Sequence, residues 1–231
     1  VAGRRFFVIE GLIGVGKTSL CRILAQEWGA RLVLEPWEDN PFLAAFYADR
    51  ERFAFPTQMF YLASRTAQQL ALAQGDLFSD LVVADYIFAK DRLFAEETLH
   101  GPELALYDRF ASLLDGQIPR PDFVVFLDAP TDTIAARIAR RGIAAEQGIP
   151  PGYLESLRDR YYRLWARYTD APVYVVDTGD VDYVNSASDR ADMIRLLRGY
   201  LDGQPVPGAP TRYGAPAERA QLPLFQSAEA R

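Results

Sequence analysis

The sequence predicts an α/β fold: a five-stranded parallel sheet covered by helices on both faces. Three observations predict it. Short apolar runs alternate with helix-period segments along most of the chain. Each short run is apolar throughout, as expected of strands buried on both faces. The first strand-to-helix junction reads Gly11-Leu12-Ile13-Gly14-Val15-Gly16-Lys17-Thr18, which is G-x-x-x-x-G-K-[ST], the phosphate-binding P-loop, between the strand and helix it requires. The chain has 231 residues, 49% of them hydrophobic, enough for one sizeable core.

The elements follow in order. Strands are expected at Arg5–Ile9, Arg31–Leu34, Leu81–Ala84, Phe123–Leu127 and Val173–Val176. Helices are expected at Lys17–Glu27, Pro41–Asp49, Thr57–Ala73, Lys90–Thr98, Pro102–Leu114, Thr131–Arg140, Gly152–Tyr168 and Ala187–Leu201. After Leu201 the composition changes. Eight of the thirty residues in 202–231 are Pro or Gly and large apolar side chains are scarce, which predicts a disordered tail behind a single domain, 1–201.

In parallel sheets, ligands sit beyond the carboxyl ends of the strands. The residues there are Gly11, Glu35, Asp85, Asp128 and Asp177. Gly11, Gly14 and Gly16 let backbone N–H groups curl around phosphates, Lys17 reaches the terminal phosphates, and the Thr18 hydroxyl can hold Mg²⁺. Glu35 precedes Pro36, which keeps the chain extended, so its carboxylate faces the loop as a candidate acceptor for the proton of an attacking hydroxyl. Asp85 is a candidate Mg²⁺ acid, directly or through water. Asp128 is read as structural. Arg137 and Arg141, four apart on one helix face, are candidates to neutralise a transferring phosphoryl group, with Arg140 pointing elsewhere and Gly142 opening a loop. Gln58 and Arg65 lie two helical turns apart with Tyr61 and Leu62 between them. An amide and a guanidinium among aromatics can read the edge of a base, although an ordinary amphipathic helix has the same spacing.

Composition excludes several classes. Net charge is −6, so a basic nucleic-acid footprint is absent. No apolar run approaches a membrane span, and no export signal precedes the first strand, which predicts a cytoplasmic protein. Cys21 is the single cysteine and His100 the single histidine, so a zinc or iron site has little support. No Asn-Lys-x-Asp guanine-reading motif occurs.

Taken together, these segments resemble the deoxynucleoside kinases, P-loop enzymes that phosphorylate deoxyribonucleosides at the 5′-hydroxyl. The similarity runs from about Arg4 to Leu201, and the Glu35-Pro36 pair, the Gln58…Arg65 helix and the Arg137…Glu146-Gln147-Gly148-Ile149-Pro150 lid are its more specific parts. The resemblance implies ATP and Mg²⁺, with Glu35 as general base and Lys17, Arg137 and Arg141 on the phosphates. Gln58, Arg65 and Asp91 would hold the base, Tyr47 and Glu146 the 3′-hydroxyl, and Thr18 and Asp85 the metal. It implies a homodimer formed through surface helices. Deoxyadenosine or deoxyguanosine is the expected substrate, then deoxycytidine.

One departure stands out. The family's Glu/Asp-Arg-Ser motif reads Asp85-Tyr86-Ile87 here, as in a bacterial branch, so an arginine near the transferring phosphate is missing. Lys90 and Arg92 are both candidates to replace it. A second lid arginine of some relatives is Ile143. A thymidylate-kinase-like monophosphate kinase and a weakly catalytic nucleotide-binding adaptor are the competing readings. In the tail, Gln221-Leu222-Pro223-Leu224-Phe225 resembles the sliding-clamp-binding motif of bacterial replication proteins. The alternative is that these residues pack on the protein's own surface or bind nothing.

Overall fold

The computed structural model describes residues 5–73, 80–114, 118–143, 146–203 and 212–213. Strands β1 (Arg5–Gly11), β2 (Arg31–Val33), β3 (Leu81–Ala84), β4 (Phe123–Asp128), β5 (Val173–Asp177) and β6 (Arg212–Tyr213) form one sheet in the order β2-β3-β1-β4-β5-β6. The first five are parallel, as the continuous apolar runs require. All six residues of β4 are buried. The chain leaves central β1 toward β3 and β2, then returns to the other side for β4 and β5. That reversal leaves the carboxyl ends of β1, β2 and β3 around one crevice.

Eight helices are described: α1 (Lys17–Trp28), α2 (Leu43–Ala48), α3 (Arg50–Ala73), α4 (Lys90–Thr98), α5 (Gly101–Leu114), α6 (Thr131–Arg141), α7 (Pro151–Trp165) and α8 (Ala187–Leu201). In α1, Leu20, Cys21 and Leu24 share the face on the sheet, so Cys21 is a core residue whose thiol is pushed well up by burial. The helix stops at Gly29, which takes the left-handed conformation (φ +63°) and donates its N–H to Ala25. α3 differs from expectation. It begins at Arg50 rather than Thr57 and carries Pro56 inside. A proline removes one ladder hydrogen bond, but Ala54 and Thr57 on either side are each only 1% exposed, and their packing holds the turn together.

Two cores result. The larger lies on the sheet, where Phe126 meets Tyr161, Tyr162 and Trp165 at ring-centroid distances of 5.1, 5.8 and 5.6 Å. The smaller gathers Phe46, Leu62, Leu99 and Tyr107 from α2, α3, the end of α4 and α5. It holds the helical layer that carries Gln58 and Arg65. Asp128 is structural, as read from the sequence: its carboxylate takes both Nε and Nη2 of Arg158, at 2.9 and 2.6 Å, and the Tyr162 hydroxyl at 2.5 Å.

The sheet gains a strand the sequence does not predict. Residues 212–213, within the segment expected to be disordered, pair antiparallel with β5 in the register Val173↔Tyr213 and Tyr174↔Arg212. β5 would otherwise be an edge with unpaired N–H and C=O groups, and a short antiparallel strand covers it. Gln221–Phe225 lies outside the described residues.

The aromatic cluster on β4 sets a stability prediction. Phe126→Ala should lower unfolding free energy by about 3–5 kcal/mol. Urea titration should read this as a lower midpoint with an unchanged slope.

Candidate active site

The crevice begins at the loop after β1. Gly14 and Gly16 sit at φ +83° and +113°, and a Cβ on either would collide with Ile138 or with the Tyr183 hydroxyl. Only glycine fits, because α6 and the loop after β5 press on the outside of the turn. Lys17 Nζ donates to the carbonyls of Gly11 and Leu12 at 2.8 and 3.0 Å. Burial lowers its pKa, and the nearby Lys90 ammonium lowers it further.

Asp85, at the end of β3, ties this loop to β2. One carboxylate oxygen accepts the Thr18 hydroxyl at 2.6 Å and the other accepts the Glu35 backbone N–H at 2.7 Å. Two predicted metal residues and the predicted base are thus held in one arrangement. A hydroxyl and a carboxylate side by side suit Mg²⁺, which binds few protein ligands and keeps water and phosphate oxygens for the rest. Among the described residues no larger cluster of metal-ligating side chains occurs.

Glu35 projects into a nest of cations. Its Oε1 accepts from Arg65 Nη2, and its Oε2 accepts from Lys90 Nζ at 2.9 Å. Burial alone would raise the Glu35 pKa. Arg65 and Lys90 overcome this and hold the carboxyl well below the usual carboxylate range. Arg65 also pairs through Nη1 with Asp91, so one guanidinium serves two acids. Beneath them Glu10, fully buried, accepts from the N–H groups of Gly11 and Ile87 and from the Tyr161 hydroxyl. Replacing such a set with apolar residues often costs nothing or stabilises, so its presence points to function rather than to folding.

Two spaces open from this nest. One lies between α3, α4 and the start of α7. Its lining includes Glu35, Tyr47, Gln58, Tyr61, Arg65 and Glu146. Gln58 donates Nε2 to Thr98 Oγ1 at 3.2 Å, and the Arg65 guanidinium lies 4.6 Å from the Tyr61 ring centroid. Asp91 touches Arg65 but does not line this space. It lies behind the guanidinium, facing the groove between α4, α5 and α7. The second space, about 620 Å³, runs along the P-loop beneath α6 and the 179–184 loop.

The predicted arginines sit at the second space, with one correction. Arg140, expected to point elsewhere, lines it beside Arg137 and Arg141. Arg137 donates to Thr178 O at 2.6 Å and Val15 O at 3.3 Å, tying α6 to the P-loop. Arg141 pairs with Glu146 and lines both spaces.

The deoxynucleoside kinase family model matches residues 7–201. The chain belongs to the deoxynucleoside kinase family. Similar curated proteins include Bacillus subtilis (strain 168) deoxyguanosine kinase, 35% identical over 80% of this chain and 91% of the relative. The deoxyadenosine/deoxycytidine kinase of the same organism is 27% identical over 84% of this chain and 91% of its own. Among solved structures, M. mycoides deoxyadenosine kinase superimposes with a TM-score of 0.73 over 86% of this chain and 99% of that chain, at 24% identity, and shares the fold. The protein is thus a phosphotransferase.

Within this kinase the departure at Tyr86 resolves spatially. The Tyr86 side chain is wholly buried, donates to Gln68 Oε1 at 2.8 Å, and has its pKa pushed up to about 12 by burial. Of the two candidates to replace the missing arginine, Lys90 enters the nest. Arg92 is exposed and pairs with Glu96 and Asp108. Sequence reasoning missed Glu10 and Tyr183. An acid directly after the apolar run Phe6-Phe7-Val8-Ile9, still within the strand, was a usable signal for the first; nothing local marks the second.

The charge arrangement predicts the state of Glu35. A carbon-detected titration of the glutamate carboxyls should find it still ionised at about pH 4, where an ordinary glutamate is more than half protonated. With the folded pKa below the unfolded one, its ion pairs support the fold above the ordinary carboxylate range. That support is lost as pH falls through the depressed value.

Proposed function

We propose that this kinase transfers the γ-phosphoryl group of ATP to the 5′-hydroxyl of a deoxyribonucleoside. Purine deoxynucleosides are the preferred acceptors, then deoxycytidine. The observation that carries the reading is Glu35: an ionised carboxylate at the end of β2, fixed by Asp85 to the P-loop and opening onto the space lined by Gln58 and Arg65. A phosphate acceptor needs no base and would be repelled by that carboxylate, which disfavours a monophosphate kinase. The names of the two B. subtilis relatives, a deoxyguanosine and a deoxyadenosine/deoxycytidine kinase, agree with the acceptor order.

In this reading ATP lies along residues 11–18, and Lys17 leaves its two loop carbonyls for the phosphates. Thr18 and Asp85 would hold Mg²⁺, which would supply positive charge to neutralise the phosphates. Gln58 and Arg65 orient the base, with Asp91 holding the guanidinium from behind, and Tyr47 and Glu146 receive the 3′-hydroxyl. A base that engages Arg65 competes with Glu35 for it, freeing Glu35 Oε1 to accept the 5′-hydroxyl. As that oxygen bonds to phosphorus, its proton passes to Glu35. Arg137 steadies the P-loop through Val15, and Arg140 and Arg141 spread the developing charge. We further propose a cytoplasmic homodimer. Leu106, Phe110 and Leu113, at i, i+4 and i+7 on α5, supply an exposed apolar face that suits it.

Coupled ADP release with each of the four deoxynucleosides tests the acceptor, and deoxyadenosine or deoxyguanosine should give the highest kcat/KM. Glu35→Gln should lower kcat by about 10²–10⁴-fold while calorimetry still detects nucleoside binding. Wild-type turnover by this variant contradicts the assignment.

A further inference from the structure

Lys90 stands out as a buried lysine that the family pattern does not explain. It is 2% exposed, and lysine is almost never buried unless paired. It lies in the first turn of α4, where the helix dipole disfavours a cation, so it is not there to stabilise the helix. Nζ lies 2.9 Å from Glu35 Oε2 and 3.9 Å from Glu10 Oε1, and it lines the space in which Glu35 opens. The rings of Tyr86 and Phe94 stand 5.9 and 5.8 Å from it, close enough for their faces to support a cation. Lys17 lines the same space. Two cationic side chains, Lys90 buried and Lys17 half-buried, therefore border the gap between the P-loop and Glu35, an arrangement suited to an anion.

We propose that Lys90 is a catalytic residue, the fixed cation that contacts the phosphoryl group in flight and takes the place left by Tyr86. This rests on the reading that Glu35 accepts the 5′-hydroxyl proton. An ammonium has three donors, and Glu35 takes one at hydrogen-bond distance. That leaves donors for a phosphoryl oxygen in the space that Lys90 and Lys17 both line. In the step the O5′–P bond forms, the bond from phosphorus to the β–γ bridging oxygen breaks, the hydroxyl proton passes to Glu35, and ADP leaves. Lys90 takes no part in the proton transfer and supplies charge where equatorial oxygens become more negative. The Tyr86 ring makes this possible: it fills the volume beside Arg65 and offers Lys90 an aromatic face where an arginine would compete with both.

The test compares kcat and KM for wild type, Lys90→Met, Lys90→Arg and the double variant Tyr86→Arg/Lys90→Met, with ATP, Mg²⁺ and the preferred deoxynucleoside. Lys90→Met should lose about 100-fold or more in kcat with deoxynucleoside KM changed by less than about threefold. Lys90→Arg should retain more activity than Lys90→Met. The double variant should recover at least about tenfold over Lys90→Met, because an arginine at 86 restores the charge. If Lys90→Met keeps wild-type kcat, or loses only in KM, Lys90 is a counter-ion alone and the proposal is overturned. Thermal melts check folding. Should Lys90→Met not fold, Lys90→Gln carries the same expectation, and a folded double variant decides by its activity: active supports the proposal, inactive overturns it. A wild-type protein that phosphorylates no deoxynucleoside refutes the acceptor reading instead, and that result is visible before any variant is made.

Discussion

Asp85 is the constraint from which the site is built. Its two carboxylate oxygens face different partners, the Thr18 hydroxyl of the P-loop and the Glu35 amide at the end of β2. The parallel register that pairs Val33 with Ala84 brings those strand ends together, so the geometry follows from the sheet. Donor loop and candidate base cannot move apart without breaking a hydrogen bond to a buried acid. Such bonds are stronger than neutral ones and costly to leave unmade. In the proposed reaction, this arrangement would set the distance between donor and acceptor before either ligand arrives, and positioning is a main source of rate in phosphoryl transfer.

Around this pin the protein concentrates charge that a stable core would avoid. Glu10, Glu35 and Asp91 face Arg65 and Lys90, all of them largely withdrawn from water. Each charge is tolerable only because its partners are in place. The two aromatic cores flank this nest. Phe126, Tyr161 and Trp165 fix α7 to the sheet, while Phe46, Leu62 and Leu99 hold the layer of α2, α3 and α4. Hydrophobic burial supplies the stability, and the polar centre uses part of it to hold the Glu35 carboxyl between Arg65 and Lys90.

Much of this was legible in the sequence, for identifiable reasons. Strands buried on both faces give unbroken apolar runs, so all five parallel strands were found, with ends moved by a residue or two. The P-loop and the position of Glu35 were readable because both stand just beyond the carboxyl ends of apolar strands. The helix from Arg50 was shortened because Pro56 signals a break that tertiary packing overrides. β6 was invisible because two residues carry no periodicity and owe their place to the free edge of β5. The choice between Lys90 and Arg92 could not be made from spacing. They lie two positions apart on α4, and only the packing of that helix on the sheet turns one inward and the other to solvent.

The central claim is that Glu35 selects a hydroxyl, not a phosphate, as acceptor. Phosphorus NMR of the purified protein with ATP and Mg²⁺ tests it, with deoxyguanosine in one sample and deoxyguanosine 5′-monophosphate in another. The account predicts a new phosphomonoester resonance with the nucleoside and no conversion of the monophosphate. Growth of diphosphate from the monophosphate sample, with the nucleoside untouched, would contradict it.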